Sequence, residues 1–201
     1  MKSTLWYSVA ATSVIFVTAC TARPDIENDE PGEYWVPPLA QGQIKEILKL
    51  RRDITLHHKN FDAWIPKGWS FSVTDGSAMK HGTMLLASPS TNLSQTRTYF
   101  SVAHKKEPAR KSLDDIFAYI QTKKDKGESR WVQQGQRRWI AEEKTGKDAK
   151  GDVRLWIQGT QVGGRQFTIL AATPTTSADV HSETLVRMVN ALRITNEEQN
   201  P

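Results

Sequence analysis

Alternating apolar and polar residues dominate the chain between residues 61 and 171. Bulky apolar side chains at every second position predict strands that bury one face. In Ser70–Thr74, for example, we expect Phe71 and Val73 to face the core and the intervening hydroxyl residues to face solvent. The strands predicted in this way are Phe61–Ile65, Trp69–Thr74, Thr83–Ala87, Tyr99–Ala103, Trp131–Val132, Trp139–Ala141, Val153–Ile157 and Phe167–Ala171.

Glycine and charge mark the connections between these strands. The last two runs flank Gly163-Gly164 and form the clearest predicted hairpin, because a glycine pair accepts the positive φ angles of a tight turn. Thr145–Gly151 is rich in charge and contains glycine, so it predicts a loop. Gln43–His58 mixes helical and strand spacing, and we interpret it as a short helical or irregular segment followed by a strand.

Two segments have helical spacing instead. Ser112-Leu113-Asp114-Asp115 has the pattern of a capping box, with a hydroxyl residue followed three positions later by an acidic one. The second helix is predicted over Ser177–Leu192. Each helix has one apolar stripe that needs a surface to cover, which predicts an α+β domain with an antiparallel β-sheet flanked by helices.

The N-terminus has the pattern of a secretion signal. Lys2 is followed by an apolar run from Leu5 to Val17 and then by Thr18-Ala19-Cys20. As a helix, Leu5–Ala19 spans about 22 Å, too short for a bilayer core of about 30 Å. The segment resembles a bacterial lipobox, which implies that residues 1–19 are removed and that Cys20 is acylated. By the same resemblance, Thr21 indicates the periplasmic side of the outer membrane.

The organisation that follows is a signal peptide (1–19), an acidic flexible tether (20–43), a folded domain (44–195) and a polar tail (196–201). One apolar island, Tyr34–Leu39, interrupts the tether. It either docks on the domain or is a proline-rich recognition segment. Cys20 has no second cysteine to pair with, so the domain must be stable without a disulfide.

Charge is distributed unevenly along the chain. The formal net charge is +5; removal of Lys2 lowers it to +4, and residues 21–43 hold −4, which leaves +8 on residues 44–201. A basic domain favours an anionic neighbour such as lipid head groups or an acidic protein. Outside the cytoplasm we expect no nucleic-acid partner.

Catalytic patterns are missing from the sequence. His57 and His58 are adjacent, so a strand sends them to opposite faces, and no second histidine lies four residues away as in a helical zinc site. The sequence contains neither a Gly-x-Ser-x-Gly elbow nor a Gly-x-Gly-x-x-Gly loop. We therefore expect a protein that is not an enzyme and that uses no metal and no cofactor.

Cations and tryptophans offer a surface for a protein partner, because Trp and Arg are enriched at interfaces. The alternative is that each Trp is core and each cation only solvated. Trp156 is expected to be exposed, because its neighbours on the strand already face the core side. The candidate partner-binding residues are Arg137, Arg138, Trp131, Trp139, Trp156, Lys105 and Lys106.

Several short motifs resemble a known family. They are Ile65-Pro66-Lys67-Gly68-Trp69, Leu85–Pro89, the Ser112–Asp115 helix start and the final Leu192-Arg193-Ile194. Between Phe61 and Thr195 the chain resembles bacterial DcrB-type lipoproteins, which have a PsbP-like α/β/α sandwich. The resemblance implies a protein-binding module and carries over no active-site residue.

Together these features predict a non-enzymatic, lipid-anchored envelope protein. Its basic domain should bind a periplasmic protein, as an accessory of an envelope or secretion system. Two alternatives are an immunity protein that neutralises a periplasmic toxin and a carrier of a small apolar ligand.

Overall fold

The computed structural model describes residues 31–77, 82–104, 111–122, 128–134 and 136–195. The predicted signal peptide and polar tail, together with Cys20, Lys105 and Lys106, lie outside these ranges. Within them, the strands are β1 (Gly32–Trp35), β2 (Ile44–Ile47), β3 (Ile54–His58), β4 (Phe61–Ile65), β5 (Ser70–Thr74), β6 (Thr83–Ser88), β7 (Tyr99–His104), β8 (Glu128–Gln134), β9 (Arg137–Asp148), β10 (Gly151–Val162), β11 (Arg165–Pro174) and β12 (Arg193–Ile194). The helices are α1 (Leu113–Gln121) and α2 (Ala178–Ala191), the latter preceded by the 3₁₀ turn Thr175–Ser177.

The strands form two sheets. Eight strands pair antiparallel in the order β2-β5-β6-β7-β11-β10-β9-β8, and four pair in the order β1-β3-β4-β12. Strand β1 runs parallel to β3, whereas the other pairs of the smaller sheet are antiparallel. Helix α2 contacts β4 of the smaller sheet and β7, β10 and β11 of the larger one, while α1 contacts β8. The predicted α+β class is confirmed.

The core lies where both sheets meet α2. Leu56 and Phe61 of the smaller sheet, Phe71 and Ile169 of the larger sheet, and Met188 of α2 are all completely buried in one cluster. The apolar stripe predicted for α2 does face the core, where Leu185, Met188, Val189 and the following Leu192 are buried. Of the helices in the described residues, neither is long and apolar enough to cross a membrane.

The β10–β11 hairpin is confirmed. Its strands pair from Val153–Pro174 to Val162–Arg165. Gly163 and Gly164 form the turn, with φ angles of 53° and 72°. Both angles lie in the left-handed region that glycine adopts without a steric penalty.

Two connections were predicted wrongly. Ile44–Ile47 is strand β2, paired with β5, rather than a helical or irregular segment. Thr145–Asp148 continues β9, and Gly151 already begins β10. Charged residues there pair within the β9–β10 ribbon and with a distant segment: Lys147 lies 3.8 Å from the Asp152 carboxylate, and Arg97, which precedes β7, donates from Nε and Nη2 to the Asp148 carboxylate at 2.9 Å. The segment is extended and takes part in these long-range pairs, although its local composition predicted a loop.

Strand β5 is also more buried than expected, because all five of its residues are inaccessible. Two of the hydroxyl side chains that were expected in solvent, those of Ser70 and Thr74, are hydrogen bonded instead. Ser70 Oγ accepts from the Lys49 amide at 2.9 Å, and Thr74 Oγ1 donates to the Thr83 carbonyl at 3.1 Å. Both faces of this strand are covered, which an alternating pattern with small hydroxyl residues does not reveal.

Strand β1 lies in the segment assigned to the tether. Its residues pair with β3, and the Val36 amide donates to the His57 carbonyl at 2.9 Å. The Tyr34 ring packs edge-on against Phe71 with centroids 5.7 Å apart, whereas Trp35 on the opposite face is 73% exposed. Of the two expectations for Tyr34–Leu39, docking on the domain is the one observed.

Candidate functional site

Helix α1 lies against the edge of the larger sheet through aromatic contacts. The predicted capping box is confirmed: the Asp115 amide donates to Ser112 Oγ at 3.1 Å, and the Ser112 amide donates to the Asp115 carboxylate at 3.3 Å. No residue of α1 is fully buried. The Phe117 ring meets the Trp131 ring of β8 with centroids 4.8 Å apart and a tilt of 35°.

Arg138 completes this arrangement. Its guanidinium lies 3.8 Å from the centre of the Trp131 ring, and its Nη2 donates to Asp114 Oδ1 at 3.4 Å. We call Asp114, Phe117, Trp131 and Arg138 the aromatic–arginine cluster. The Arg138 side chain remains 55% exposed and that of Asp114 74% exposed. The cation–π contact therefore orients a guanidinium that solvent still reaches.

Two further candidate residues of the β8–β9 hairpin, Arg137 and Trp139, point away from the aromatic–arginine cluster. Successive side chains of a strand alternate between faces, so Arg137 and Trp139 share the face opposite to Arg138. Trp139 is 1% exposed and belongs to the core, while Arg137 is half-buried. The structure thus brings together Trp131 and Arg138 and separates them from Trp139 and Arg137.

The expectation that Trp156 is exposed is wrong. Its side chain is 7% exposed and belongs to the hydrophobic core, with the Arg154 guanidinium 5.2 Å from the ring centre. Sequence reasoning assumed that one face of β10 is open to solvent. Helix α2 covers that face, and its burial depends on contacts that are distant in the sequence.

A groove runs between α2 and the strands β8, β9 and β10. It has a volume of about 120 Å³. We call it the α2 groove. Its lining consists of Glu128 and Arg130 from β8, Ala141, Glu142 and Glu143 from β9, Trp156, Ile157 and Gln158 from β10, and Val186, Val189 and Asn190 from α2.

Sequence reasoning missed a histidine cluster on the smaller sheet. His57 Nδ1 donates to Asp62 Oδ1 at 2.8 Å, and His57 Nε2 bonds Glu33 Oε2. The exposed Trp35 ring stacks on the imidazole with centroids 4.2 Å apart. Two carboxylate partners require both ring nitrogens to donate, which only the protonated imidazolium can do. Burial lowers the pKa of His57, but the hydrogen bonds to Glu33 and Asp62 outweigh it and raise the pKa above its usual value.

His58 has the opposite environment, as its adjacent position on a strand predicts. It is buried, its ring stacks on Phe61 with centroids 4.6 Å apart, and its Nδ1 accepts from the Asn60 amide at 3.2 Å. Burial, with a smaller contribution from Lys59, lowers its pKa to about 4. In the described part of the chain, no group of three or more His, Cys, Asp or Glu residues has an arrangement that could hold a metal ion; His57, Glu33 and Asp62 are hydrogen bonded to one another instead.

Comparisons with known proteins find similar solved structures but no family. No family model and no curated protein matches the chain. Among solved structures, the cyanobacterial PsbP (CyanoP) from Synechocystis sp. PCC 6803 is similar over 80% of this chain and 97% of its own, with 11% identity and a TM-score of 0.48. A protein from Bacteroides thetaiotaomicron is similar over 81% of this chain, with 15% identity and a TM-score of 0.46.

This chain spans about half of that second protein, covering 52% of it. Both likenesses concern the fold alone, because the identities are low and neither comparison aligns a site. The α+β class that was expected from the sequence follows from the order and pairing of the described strands and helices themselves.

Proposed function

We propose that the protein is a DcrB-type lipoprotein, anchored by acylated Cys20 to the periplasmic side of the outer membrane, whose basic domain binds an acidic periplasmic protein. The protein is not an enzyme in this proposal and acts as an accessory of an envelope or secretion system. Two features of the sequence support it: the lipobox pattern ending at Cys20 and the net charge of +8 on residues 44–201. A surplus of positive charge steers an acidic partner toward the domain.

The aromatic–arginine cluster is the observation that carries the proposal. Arg138 is stacked on Trp131, so its planar guanidinium is already oriented while more than half of the side chain is exposed. A stacked arginine loses little freedom when it binds a carboxylate through two parallel hydrogen bonds. The internal ion pair with Asp114 is long, at 3.4 Å, and exposed, so a partner carboxylate can replace it at small cost.

The experiment is an affinity capture from detergent-solubilised envelopes, with the partner then measured against purified protein. Arg138→Ala should weaken binding by about tenfold or more, the usual effect of removing an arginine anchor. Arg165→Ala is the matched control, since Arg165 is an exposed arginine at the tip of the β10–β11 hairpin. A partner bound equally well by both variants would contradict the proposed surface.

The anchor is tested separately in the same cells. Mass spectrometry of the wild-type protein should show a lipid-modified Cys20 as the first residue, and Cys20→Ala should leave the membrane fraction. An intact Met1 together with an unmodified Cys20 thiol would contradict the lipoprotein assignment. That result would not bear on the proposed interaction surface, which the Arg138→Ala experiment tests separately.

A further inference from the structure

The α2 groove contains a buried acceptor without a donor. Gln158 is 7% exposed, and its Oε1 has no hydrogen-bond partner among the described residues. Buried side-chain carbonyl oxygens are almost always hydrogen bonded in folded proteins, so an unsatisfied one needs an explanation. Ala141 lies directly opposite Gln158 on β9, and its small side chain leaves the space beside the amide open. The amide therefore faces room for a ligand that donates a hydrogen bond.

Acidic residues outnumber basic ones in the lining of the groove, which favours a cation over an anion. Three glutamates and one arginine line it, and Glu128 lies directly opposite Glu143 across β8 and β9. Like charges at facing positions of a sheet destabilise each other unless a cation lies between them. Arg154 holds Glu143 at 2.8 Å, and Lys144 holds Glu142 at 3.0 Å. Within the described residues, the Glu128 carboxylate has no ion-pair partner.

The remaining surfaces are apolar and suit a short hydrocarbon stem. The Trp156 ring belongs to the floor of the groove, and Val186 of α2, which is 37% exposed, belongs to its wall. An indole attracts a cation placed near its face, as the Arg154 guanidinium 5.2 Å from the centre of the Trp156 ring illustrates. A volume of about 120 Å³ is well below that of a pocket for a drug-sized molecule, so the bound group is small.

We propose that the α2 groove is a binding site for a small organic cation, namely a primary ammonium or guanidinium group on a short aliphatic stem. Gln158 Oε1 accepts from the bound nitrogen, and the Glu128 carboxylate balances its charge. The group belongs either to a free amine or to a lysine or arginine side chain of another protein. The site is independent of the aromatic–arginine cluster, because it lies on the opposite face of β8–β10.

The test titrates n-propylammonium and methylguanidinium into the full chain in detergent. Binding is followed by NMR at the Trp156 indole N–H and the Gln158 side-chain amide. n-Propanol and propionate are controls of similar size that lack the positive charge. Saturable shifts at both groups with the cations, and not with the controls, are expected. No shift with the cations, or equal shifts with all four compounds, would overturn the proposal.

Variants connect the shifts to the groove. Gln158→Leu removes the acceptor at constant volume and should weaken binding by about tenfold or more, since hydrogen bonds to charged groups are among the strong ones. Glu128→Gln should weaken binding of the cation several-fold, and the affinity that remains should depend less on salt concentration. Glu46→Gln is the matched control, because Glu46 is exposed on β2 at the far edge of the same sheet. Thermal melting shows whether each variant is folded. If Gln158→Leu does not fold, the affinity of Glu128→Gln for the cations tests the proposal.

Arg130 provides the internal alternative. It lies on β8 opposite Ala141, in the same row as Gln158, and its guanidinium can donate hydrogen bonds. A hydrogen bond between Arg130 and Gln158 in solution, with no response to the cations, would overturn the proposal. Blocked Gly-Lys-Gly peptide distinguishes the two sources: binding tighter than n-propylammonium indicates a protein side chain, and equal or weaker binding indicates a free amine. Both of these results support the site.

Discussion

Strands β8 to β10 present two faces that differ in how they hold a helix. On one face, α2 buries Leu185 and Met188 completely, and Gln134 of β8 donates to the carbonyls of Asn190 and Leu192 at 2.6 and 2.7 Å. On the other face, α1 buries no residue fully. It is held by the Phe117–Trp131 contact and by exposed charges. The same strands thus carry a structural face and a face whose contacts a partner can replace.

The smaller sheet repeats this contrast at two adjacent residues. His58 faces the core and stacks on Phe61, whereas His57 faces outward between Glu33 and Asp62. Burial lowers the pKa of the first, and carboxylate partners raise that of the second. The side of a strand, and not the residue type, decides what each histidine does.

The largest loss of stability is expected when a buried side chain of α2 is shortened. Met188→Ala should lower the free energy of unfolding by about 2–5 kcal/mol, because a completely buried side chain leaves a cavity. Chemical denaturation followed by circular dichroism measures it. The matched α1 variant, Ile116→Ala, should cost about 1 kcal/mol, since Ile116 is half-buried. Equal losses for the two variants would remove the distinction between the faces.

The histidines should give stability profiles of opposite sign. His58 has a folded pKa of about 4 against 6.5 unfolded, so the unfolded chain binds more protons between these values. Its contribution, about 3 kcal/mol, is present above pH 6.5 and is lost as the pH falls toward 4. Denaturation from pH 4 to 8 should show this slope, and His58→Phe should flatten it. An unchanged slope would contradict the buried neutral imidazole.

The contribution of His57 to stability has the opposite pH dependence. Its folded pKa is raised, so its contribution is fully present below pH 6.5 and is lost as the pH rises through the folded value. The double variant Glu33→Gln, Asp62→Asn removes both partners and should abolish this loss at higher pH. NMR titration of the His57 ring gives the pKa directly. A value at or below 6.5 in the wild-type protein would refute the imidazolium bridge.

A smaller effect is expected from the aromatic contact that holds α1. Trp131→Ala removes the contacts with Phe117 and Arg138, and together these contribute about 1–2 kcal/mol. Hydrogen exchange should then show faster opening of α1 with little change in α2. If α2 amides lost protection to the same extent, the two helices would form one cooperative unit.

The smallest effect on stability is expected from Arg138→Ala. The Arg138–Asp114 ion pair is exposed, and pairs of this kind contribute at most about 1 kcal/mol. With the exposed cation–π contact to Trp131 included, the free energy of unfolding should change by no more than about 1 kcal/mol, while binding of the partner should fall by about tenfold or more. A large loss of stability would make Arg138 a structural residue.

Local patterns predicted those elements that local physics determines. The Gly163-Gly164 turn, the Ser112 cap and the apolar stripe of α2 are short-range signals, and the structure confirms them. The failures share a long-range cause. Ile44–Ile47 is a strand because β5 pairs with it, and Trp156 is buried because α2 covers it.

The site residues show the same limit. Alternation predicted that His57 and His58 face opposite ways, and the β3–β4 hairpin places Asp62 directly across from His57. A search for acidic residues opposite His57 in that hairpin would have found Asp62. Glu33 comes from the parallel strand β1, which no local pattern joins to β3. The two tryptophans of the β8–β9 hairpin looked equivalent in sequence, but the register sends them to opposite faces.

Site-specific photo-crosslinking in intact cells tests the central claim most directly. One photoreactive residue replaces Ala118, which is exposed on α1, and another replaces Glu183, which is exposed on α2. We predict a crosslink from position 118 to one acidic envelope protein, lost when Arg138→Ala is added, and none to that protein from position 183. Crosslinks from position 183 alone, or equally from both positions, would contradict the assignment of the α1 face as the partner surface.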